Sequence, residues 1–160
     1  MKAPLIWRKD TINMSMDRYV FVDTWAWIAL SNRKDTHHEV AKREYEEIKA
    51  AGYRMVTSDY VLDEVITALF RNVAFGSAVQ FVESLFAAIE SNKIRLEKIT
   101  KERFEAAWFL RKKYRDKPDI SFTDLTSFVL MQELRVNKVF TGDTHFEEIN
   151  LGFEILPKEQ

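Results

Sequence analysis

The sequence has no cysteine and little glycine or proline, and these scarcities exclude several classes of protein. Without cysteine there can be no disulfide framework, no thiol nucleophile and no thiolate site for zinc or an iron–sulfur cluster. Four glycines and three prolines in 160 residues are too few for a collagen-like or linker-rich chain. They also disfavour a β-sandwich with many turns. A reducing compartment fits the absence of cysteine.

An excess of one charge and a long apolar run are also missing. Lys and Arg number 24 against 25 Asp and Glu, so no overall positive field favours nucleic acid. A bound polyanion would need a local basic patch or bound cations. The longest apolar run, Trp25–Leu30, is far shorter than the ~20 residues of a membrane span. Residues 1–15 mix charges with little apolar continuity, unlike a secretory signal. We therefore expect a cytoplasmic protein without membrane association.

What the sequence does contain is enough apolar material for one core. The chain is 46% hydrophobic and carries 12 Phe, 5 Tyr and 4 Trp, which disfavours disorder. Its length suits one domain. Residues 1–17 show no periodicity, and Met14 and Met16 are alternative start positions, so this segment is predicted to be an extension whose native status stays open. The single domain is predicted to cover residues 18–157.

Short apolar runs alternate with helical patterns along this domain. Strands are predicted at Tyr19–Val22, Tyr53–Thr57, Ile94–Leu96, Lys138–Thr141 and, at an edge, Phe153–Ile155. Helical patterns lie between them, with Gly76 predicted to separate two helices that occupy 58–73 and 77–91. Alternation of this kind is typical of an α/β fold. We expect a mostly parallel central sheet of four to five strands flanked by helices in three layers.

One acidic residue stands where a charge is costly. Asp23 directly follows the apolar strand Tyr19–Val22 and directly precedes the apolar run Trp25–Leu30. An ionised carboxylate between two apolar runs needs a hydrogen bond, a partner charge or a metal ion. The carboxyl edge of an α/β sheet is also where ligands bind. The alternative is that Asp23 caps the following helix.

Three further acids are candidates for the same edge. Glu64 lies about two turns into the helix after the second strand, Asp124 lies in the first turn of a helix capped by Ser121, and Asp143 follows the fourth strand. Each also has a structural interpretation: Glu64 as part of a solvent-facing stripe, and the two aspartates as helix-terminal residues.

The coincidence of the four acids is more informative than any one of them. A doubly wound sheet would collect Asp23, Glu64, Asp124 and Asp143 at one edge, where their mutual repulsion calls for a cation. Oxygen ligands without Cys or paired His select Mg²⁺ or Mn²⁺. Such ions bind a phosphodiester, activate water and stabilise the leaving oxygen. The pattern therefore favours hydrolysis of phosphodiester bonds.

The segments around these acids resemble the PIN-domain nucleases, and among them the VapC-type ribonuclease toxins. The resemblance runs from about residue 19 to 156 and rests on four segments: Val22-Asp23-Thr24, Leu62-Asp63-Glu64-Val65, Ile120-Ser121-Phe122-Thr123-Asp124 and Val139-Phe140-Thr141-Gly142-Asp143-Thr144-His145-Phe146. The last two are the more specific.

The resemblance implies a Mg²⁺- or Mn²⁺-dependent endoribonuclease that is the toxin of a toxin–antitoxin pair. It implies metal ligation by Asp23, Asp124 and Asp143, with Glu64 as a further ligand or a water-orienting group, and it suggests supporting roles for the hydroxyls of two threonines, Thr24 and Thr141. An RNA substrate, a cognate antitoxin and a homodimer are implied partners. His145 receives no role, and Asp119 is expected to be peripheral.

Several alternatives stay open at this stage. The chain could be a PIN nuclease of RNA processing without an antitoxin, or a non-catalytic PIN-like binding module; the presence of all four acids argues against the second. A receiver-type phosphoacceptor is disfavoured because Asp143, rather than a lysine, follows the fourth strand. The basic run from Arg111 to Lys117 is either a favourable helix C-terminus or a phosphate-contacting rim. The apolar segment 74–86 is either core or a dimer face.

Overall fold

A five-stranded parallel sheet forms the centre of the computed structural model, which describes residues 18–158. The strands are β1 Tyr19–Val22, β2 Arg54–Ser58, β3 Ile94–Glu97, β4 Lys138–Phe140 and β5 Glu154–Leu156. Their order is β3-β2-β1-β4-β5, and all four neighbouring pairs are parallel. The predicted α/β fold is confirmed, whereas the predicted extension, residues 1–17, lies outside the described residues.

Seven helices flank the sheet in the described part of the chain. They are α1 Thr24–Ser31, α2 His38–Ala50, α3 Asp59–Asn72, α4 Phe75–Glu90, α5 Lys101–Lys113, α6 Phe122–Leu134 and α7 His145–Glu148. All four residues of β1 are buried, as expected of a central parallel strand covered on both faces. Among residues 18–158, no helix has both the length and the apolar character needed to cross a membrane.

Hydroxyl side chains fix where three of the helices begin. Ser58, Thr100 and Ser121 each accept a hydrogen bond from the backbone N–H three residues further on. Such caps satisfy N–H groups that have no partner within the helix, and each contributes about 1 kcal/mol. The predicted Ser121 cap of α6 is therefore confirmed, and it sets the position of Asp124.

The predicted helix boundary at Gly76 is wrong. Gly76 lies in the first turn of α4, and the chain breaks instead at Val73, whose backbone is extended, and at Ala74, which is not helical. A glycine in a first turn does not interrupt a helix, because its conformational freedom allows helical angles as well as others. Sequence position alone did not distinguish a glycine that ends a helix from one that lies just inside the next.

The strand order changes direction between β1 and β4. From β1 the chain continues towards β2 on one side, whereas β4 lies on the other side of β1. Ligands of open α/β sheets bind at such a switch point, outside the carboxyl ends of the strands. Asp23 follows β1 and Asp143 follows β4, so both candidate acids lie there.

Candidate active site

Asp23 is a buried carboxylate with one oxygen left without a partner. Its residue is only 2% exposed, and its backbone N–H donates to the carbonyl oxygen of Phe140 across the sheet at 3.1 Å. The Thr141 hydroxyl donates to Oδ2 at 2.8 Å, whereas Oδ1 has no hydrogen-bond partner among the described residues. Asp23 occupies the N-cap position of α1 but its side chain makes no capping bond. The capping interpretation therefore fails.

Thr141 joins the ends of two strands through its hydroxyl. Besides donating to Asp23, the Thr141 oxygen accepts a hydrogen bond from the backbone N–H of Asp143 at 3.0 Å. The residue is 1% exposed, so both bonds are shielded from water. This single hydroxyl holds Asp23 and Asp143 in register with one another.

Asp124 and Asp143 come together around a histidine. Nδ1 of His145 lies 2.8 Å from Oδ2 of Asp124 and 3.2 Å from Oδ1 of Asp143. The backbone N–H of His145 also donates to Oδ1 of Asp143 at 2.9 Å. One ligand atom from each of these three residues lies within 4.8 Å of the other two, which is close enough to share one metal ion.

Glu64 turns towards the acids and is not part of a solvent-facing stripe. Its side chain is partly buried, and its Oε1 accepts a hydrogen bond from the Thr24 hydroxyl at 3.2 Å. Burial, and then the negative charge of Asp124, raises the pKa of the Glu64 carboxyl. The structure thus brings all four predicted acids to one end of the sheet. The Thr24 hydroxyl donates a hydrogen bond to the Glu64 carboxylate, and the Thr141 hydroxyl donates one to the Asp23 carboxylate.

Burial and repulsion between acids make Asp23, Glu64 and Asp124 reluctant to ionise. Burial, then the charge of Asp124, raises the pKa of Asp23 to about 7, although the Thr141 hydrogen bond acts in the opposite direction. Burial also raises the pKa of Glu64 and of Asp124, with Asp124 and Asp143 respectively adding repulsion. A nearby cation would stabilise the charged forms of all of them.

The neighbouring acids favour a positive charge on His145. Its burial opposes protonation, but the hydrogen bond to Asp124 and the charge of Asp143 outweigh it and raise the pKa of His145. The prediction that gave His145 no role missed these contacts. The signal in the sequence is that His145 lies only two residues after Asp143. This spacing is short enough for the His145 side chain to contact the Asp143 carboxylate.

Aromatic packing fixes the two segments that carry these groups. Phe128 of α6 meets Phe146 of α7 edge to face, with ring centroids 4.9 Å apart, and stacks on Phe153 at 5.7 Å. Phe128 and Phe146 are both almost fully buried. Because Phe146 is adjacent to His145 and Phe128 is one turn from Asp124, this contact sets the distance between the two polar groups.

Arg111 organises the loop that leads into α6. Its guanidinium donates to the carbonyl oxygens of Tyr114, Lys117 and Ile120 at 2.6–2.7 Å. Three of the five guanidinium N–H groups are used in these bonds, so Arg111 is a loop-organising residue. The bonds hold the segment immediately before the Ser121 cap and thereby the start of the helix that carries Asp124.

Gly142 leaves room for an indole beside the site. A Cβ atom on Gly142 would overlap the Trp25 ring. Glycine is therefore required here by close approach. Trp27 faces the other way: it is 3% exposed and its Nε1 donates to the Thr57 hydroxyl at 3.3 Å. Trp27 is therefore part of the core.

Comparison with known proteins identifies the family. A family model described as PIN domain matches residues 20–151. The 23S rRNA-specific endonuclease VapC20 of Mycobacterium tuberculosis, strain CDC 1551 / Oshkosh, is 34% identical over 128 residues, covering 79% of this chain and 91% of the relative. The protein of the same description from strain ATCC 25618 / H37Rv gives the same values.

A solved structure agrees with the sequence comparison. The crystal structure of Mycobacterium tuberculosis VapC20, described as a Sarcin-Ricin loop cleaving toxin, matches with a TM-score of 0.69 and 31% identity. The match covers 82% of this chain and 95% of that chain. PIN nucleases use divalent metal ions, and the acidic cluster suits that chemistry. The predicted resemblance to VapC-type nucleases is confirmed, and the chain belongs to the PIN-domain family.

Proposed function

We propose that this protein is a metal-dependent endoribonuclease and the toxin of a toxin–antitoxin pair. The observation that carries the proposal is Oδ1 of Asp23, a buried carboxylate oxygen with no hydrogen-bond partner among the described residues, beside Asp124 and Asp143. A buried unpartnered carboxylate oxygen is costly and is explained by a cation that binds there. Homology to an endonuclease toxin over 79% of the chain supports the same function.

The residues present fit a hard divalent ion. Asp23, Asp124 and Asp143 would hold it through carboxylate oxygens, and Glu64 would complete the ligand set or orient the attacking water. Mg²⁺ or Mn²⁺ suits such donors. When bound, the ion would polarise the scissile phosphate and lower the pKa of a water molecule.

The remaining groups position this set. Thr141 keeps Asp23 and Asp143 in register through its two hydrogen bonds. Thr24 holds the carboxyl group of Glu64 from the first turn of α1. Removing either hydroxyl would leave a carboxylate free to rotate away from the substrate phosphate, and misplacement on the scale of 1 Å costs about 100-fold in rate.

We propose large-subunit ribosomal RNA as the substrate. The relative that supports this is described as specific for 23S rRNA and its crystal structure as that of a Sarcin-Ricin loop cleaving toxin. This chain's net charge of −1 supplies no overall attraction for RNA, which makes the bound cation the main contact for a phosphate at the site. A ribosomal substrate would place the reaction in the cytoplasm.

The partners proposed are a cognate antitoxin and a second copy of this chain. Large aromatic side chains stand on the described surface: Phe75 is 74%, Trp108 53% and Phe109 61% exposed. Apolar side chains that are exposed together mark interaction surfaces, and Phe75 contacts the exposed Phe70 with ring centroids 5.5 Å apart. Light scattering of the purified protein would give twice the monomer mass if the chain dimerises, and a single-copy mass would contradict the proposed dimer.

Intact ribosomes provide the direct test of the proposed activity and substrate. Ribosomes in Mg²⁺ are incubated with the wild-type protein or with Asp23→Asn, purified 23S rRNA is treated in the same way with Mg²⁺, Mn²⁺ or EDTA, and cleavage sites are mapped by primer extension. We expect the wild type to cut 23S rRNA at one loop and the variant and the EDTA sample to leave it intact. Equal cleavage by both proteins would reject the assignment of Asp23.

The proposed domain of residues 18–157 is tested in the same assay. A chain shortened to that range is expected to cut at the same position as the full chain. Loss of cleavage in a shortened chain that is still folded would show that residues outside the range belong to the active unit.

A further inference from the structure

His145 adds a nitrogen atom to a site that sequence reasoning described with oxygen ligands alone. Its Nδ1 lies 2.8 Å from a carboxylate oxygen of Asp124 and 3.2 Å from one of Asp143. Neighbouring ligands on an octahedral ion with bonds of about 2.1 Å lie about 3.0 Å apart. Both nitrogen–oxygen distances are therefore close to the spacing of adjacent ligands around one ion, and the three atoms lie within 4.8 Å of one another.

The position of the imidazole is set by the fold. The backbone N–H of His145 is bonded to Oδ1 of Asp143, and the next residue, Phe146, is anchored against Phe128 in the core. The His145 side chain is 22% exposed, so it borders the site and does not extend into solvent. A ring placed in this way can bind an ion without rearrangement of the backbone.

We propose that His145 is a ligand of the divalent ion and gives the site a preference for Mn²⁺ over Mg²⁺. The inference rests on the proposed function, because it concerns the same ion. Mg²⁺ takes oxygen ligands and water, whereas imidazole nitrogen suits first-row transition ions. The binding nitrogen is Nδ1, so the ring hydrogen resides on Nε2 in the metal-bound form.

Nitrogen coordination has a spectroscopic signature that does not depend on RNA cleavage. The full-length metal-free protein is loaded with one equivalent of Mn²⁺, and electron spin echo modulation is recorded for coupling to ¹⁴N. The chain has three histidines, His37, His38 and His145. We expect ¹⁴N coupling in the wild type and in the control His37→Gln, and its loss in His145→Gln.

The affinities provide a second measurement. We expect His145→Gln to lower Mn²⁺ affinity about tenfold, within the range found when groups that support a metal site are removed. The Mg²⁺ affinity of the same variant is expected to change less, because the oxygen ligands remain. An equal loss for both ions would contradict the proposed preference.

The outcomes separate failure of this inference from failure of the proposed function. Absence of Mn²⁺ binding in the wild type would reject the metal-dependent function itself. Binding without ¹⁴N coupling in the wild type would overturn the role of His145 and leave that function standing. The same conclusion would follow if coupling persisted in His145→Gln, and the wild-type spectrum decides the inference even if that variant folds poorly.

Discussion

Replacing Asp23 by asparagine should stabilise the metal-free protein at alkaline pH, although it removes a proposed metal ligand. The pKa of Asp23 is raised from 3.8 to about 7 in the fold, because the group is buried and lies near Asp124. The folded protein therefore holds this proton more tightly than the unfolded chain does. The Asp23 carboxyl therefore makes its full contribution to the free energy of unfolding below pH 4. This contribution is lost as the pH rises through about 7.

The shift sets the size of the effect. A change of about three pKa units at about 1.4 kcal/mol each corresponds to about 4 kcal/mol of lost stability at pH 8. Asparagine avoids this penalty but places an amide group where Oδ1 of Asp23 has no hydrogen-bond partner. We therefore expect Asp23→Asn to raise the free energy of unfolding at pH 8 by about 2 kcal/mol, roughly half of the penalty. This corresponds to a rise in Tm of about 4–8 °C.

Urea unfolding and thermal unfolding in EDTA at pH 5 and pH 8 measure this effect. The exposed Asp119 supplies the matched control, and Asp119→Asn should unfold like the wild type. The reasoning fails if metal-free Asp23→Asn is less stable than the wild type at pH 8. Saturating Mn²⁺ should stabilise the wild type and have little effect on Asp23→Asn, because only a state that binds the ion gains stability from it.

Three other substitutions test the parts that surround the ion. Thr141→Val should lower the rate of RNA cleavage about 100-fold because it removes the hydrogen bond that holds Asp23, whereas Thr141→Ser should retain most of the activity. Equal rates for Thr141→Val and the wild type would exclude positioning by the hydroxyl. Gly142→Ala should destabilise the protein by about 1–3 kcal/mol in urea because its Cβ overlaps Trp25, and unchanged stability would contradict that contact. Glu64→Gln should slow cleavage at least about tenfold while its affinity for Mn²⁺ changes little, as expected of a group that orients the attacking water. A loss of Mn²⁺ affinity as large as the loss of rate would instead make Glu64 a metal ligand.

The sequence predicted the sheet and its acids because both depend on local patterns. A short apolar run such as Tyr19–Val22 indicates a buried strand whatever its neighbours are, and an acid that follows it must lie at the carboxyl edge of a parallel sheet. The Ser121 cap is equally local, since its bond reaches only three residues along the chain. These features required no knowledge of how distant segments pack.

The features that were missed depend on contacts between distant segments. His145 meets Asp124 across 21 residues of sequence, and that contact exists only because α6 and α7 pack through their phenylalanines. The requirement for glycine at 142, in the loop after β4, likewise comes from Trp25, which belongs to α1. Arg111 resembled a surface cation in sequence, and only the loop that folds around it revealed its carbonyl partners.

A comparison of metal-dependent RNA cleavage by the wild type and two single-residue variants tests the central claim most directly. Initial rates on a panel of RNAs are measured against Mn²⁺ and Mg²⁺ concentration for the wild type, for Asp124→Asn and for the exposed control Asp119→Asn. We expect the wild type and the control to cut RNA only when the ion is present, and Asp124→Asn to be inactive. Cleavage by the wild type in EDTA, or full activity of Asp124→Asn, would contradict a nuclease built on these acids.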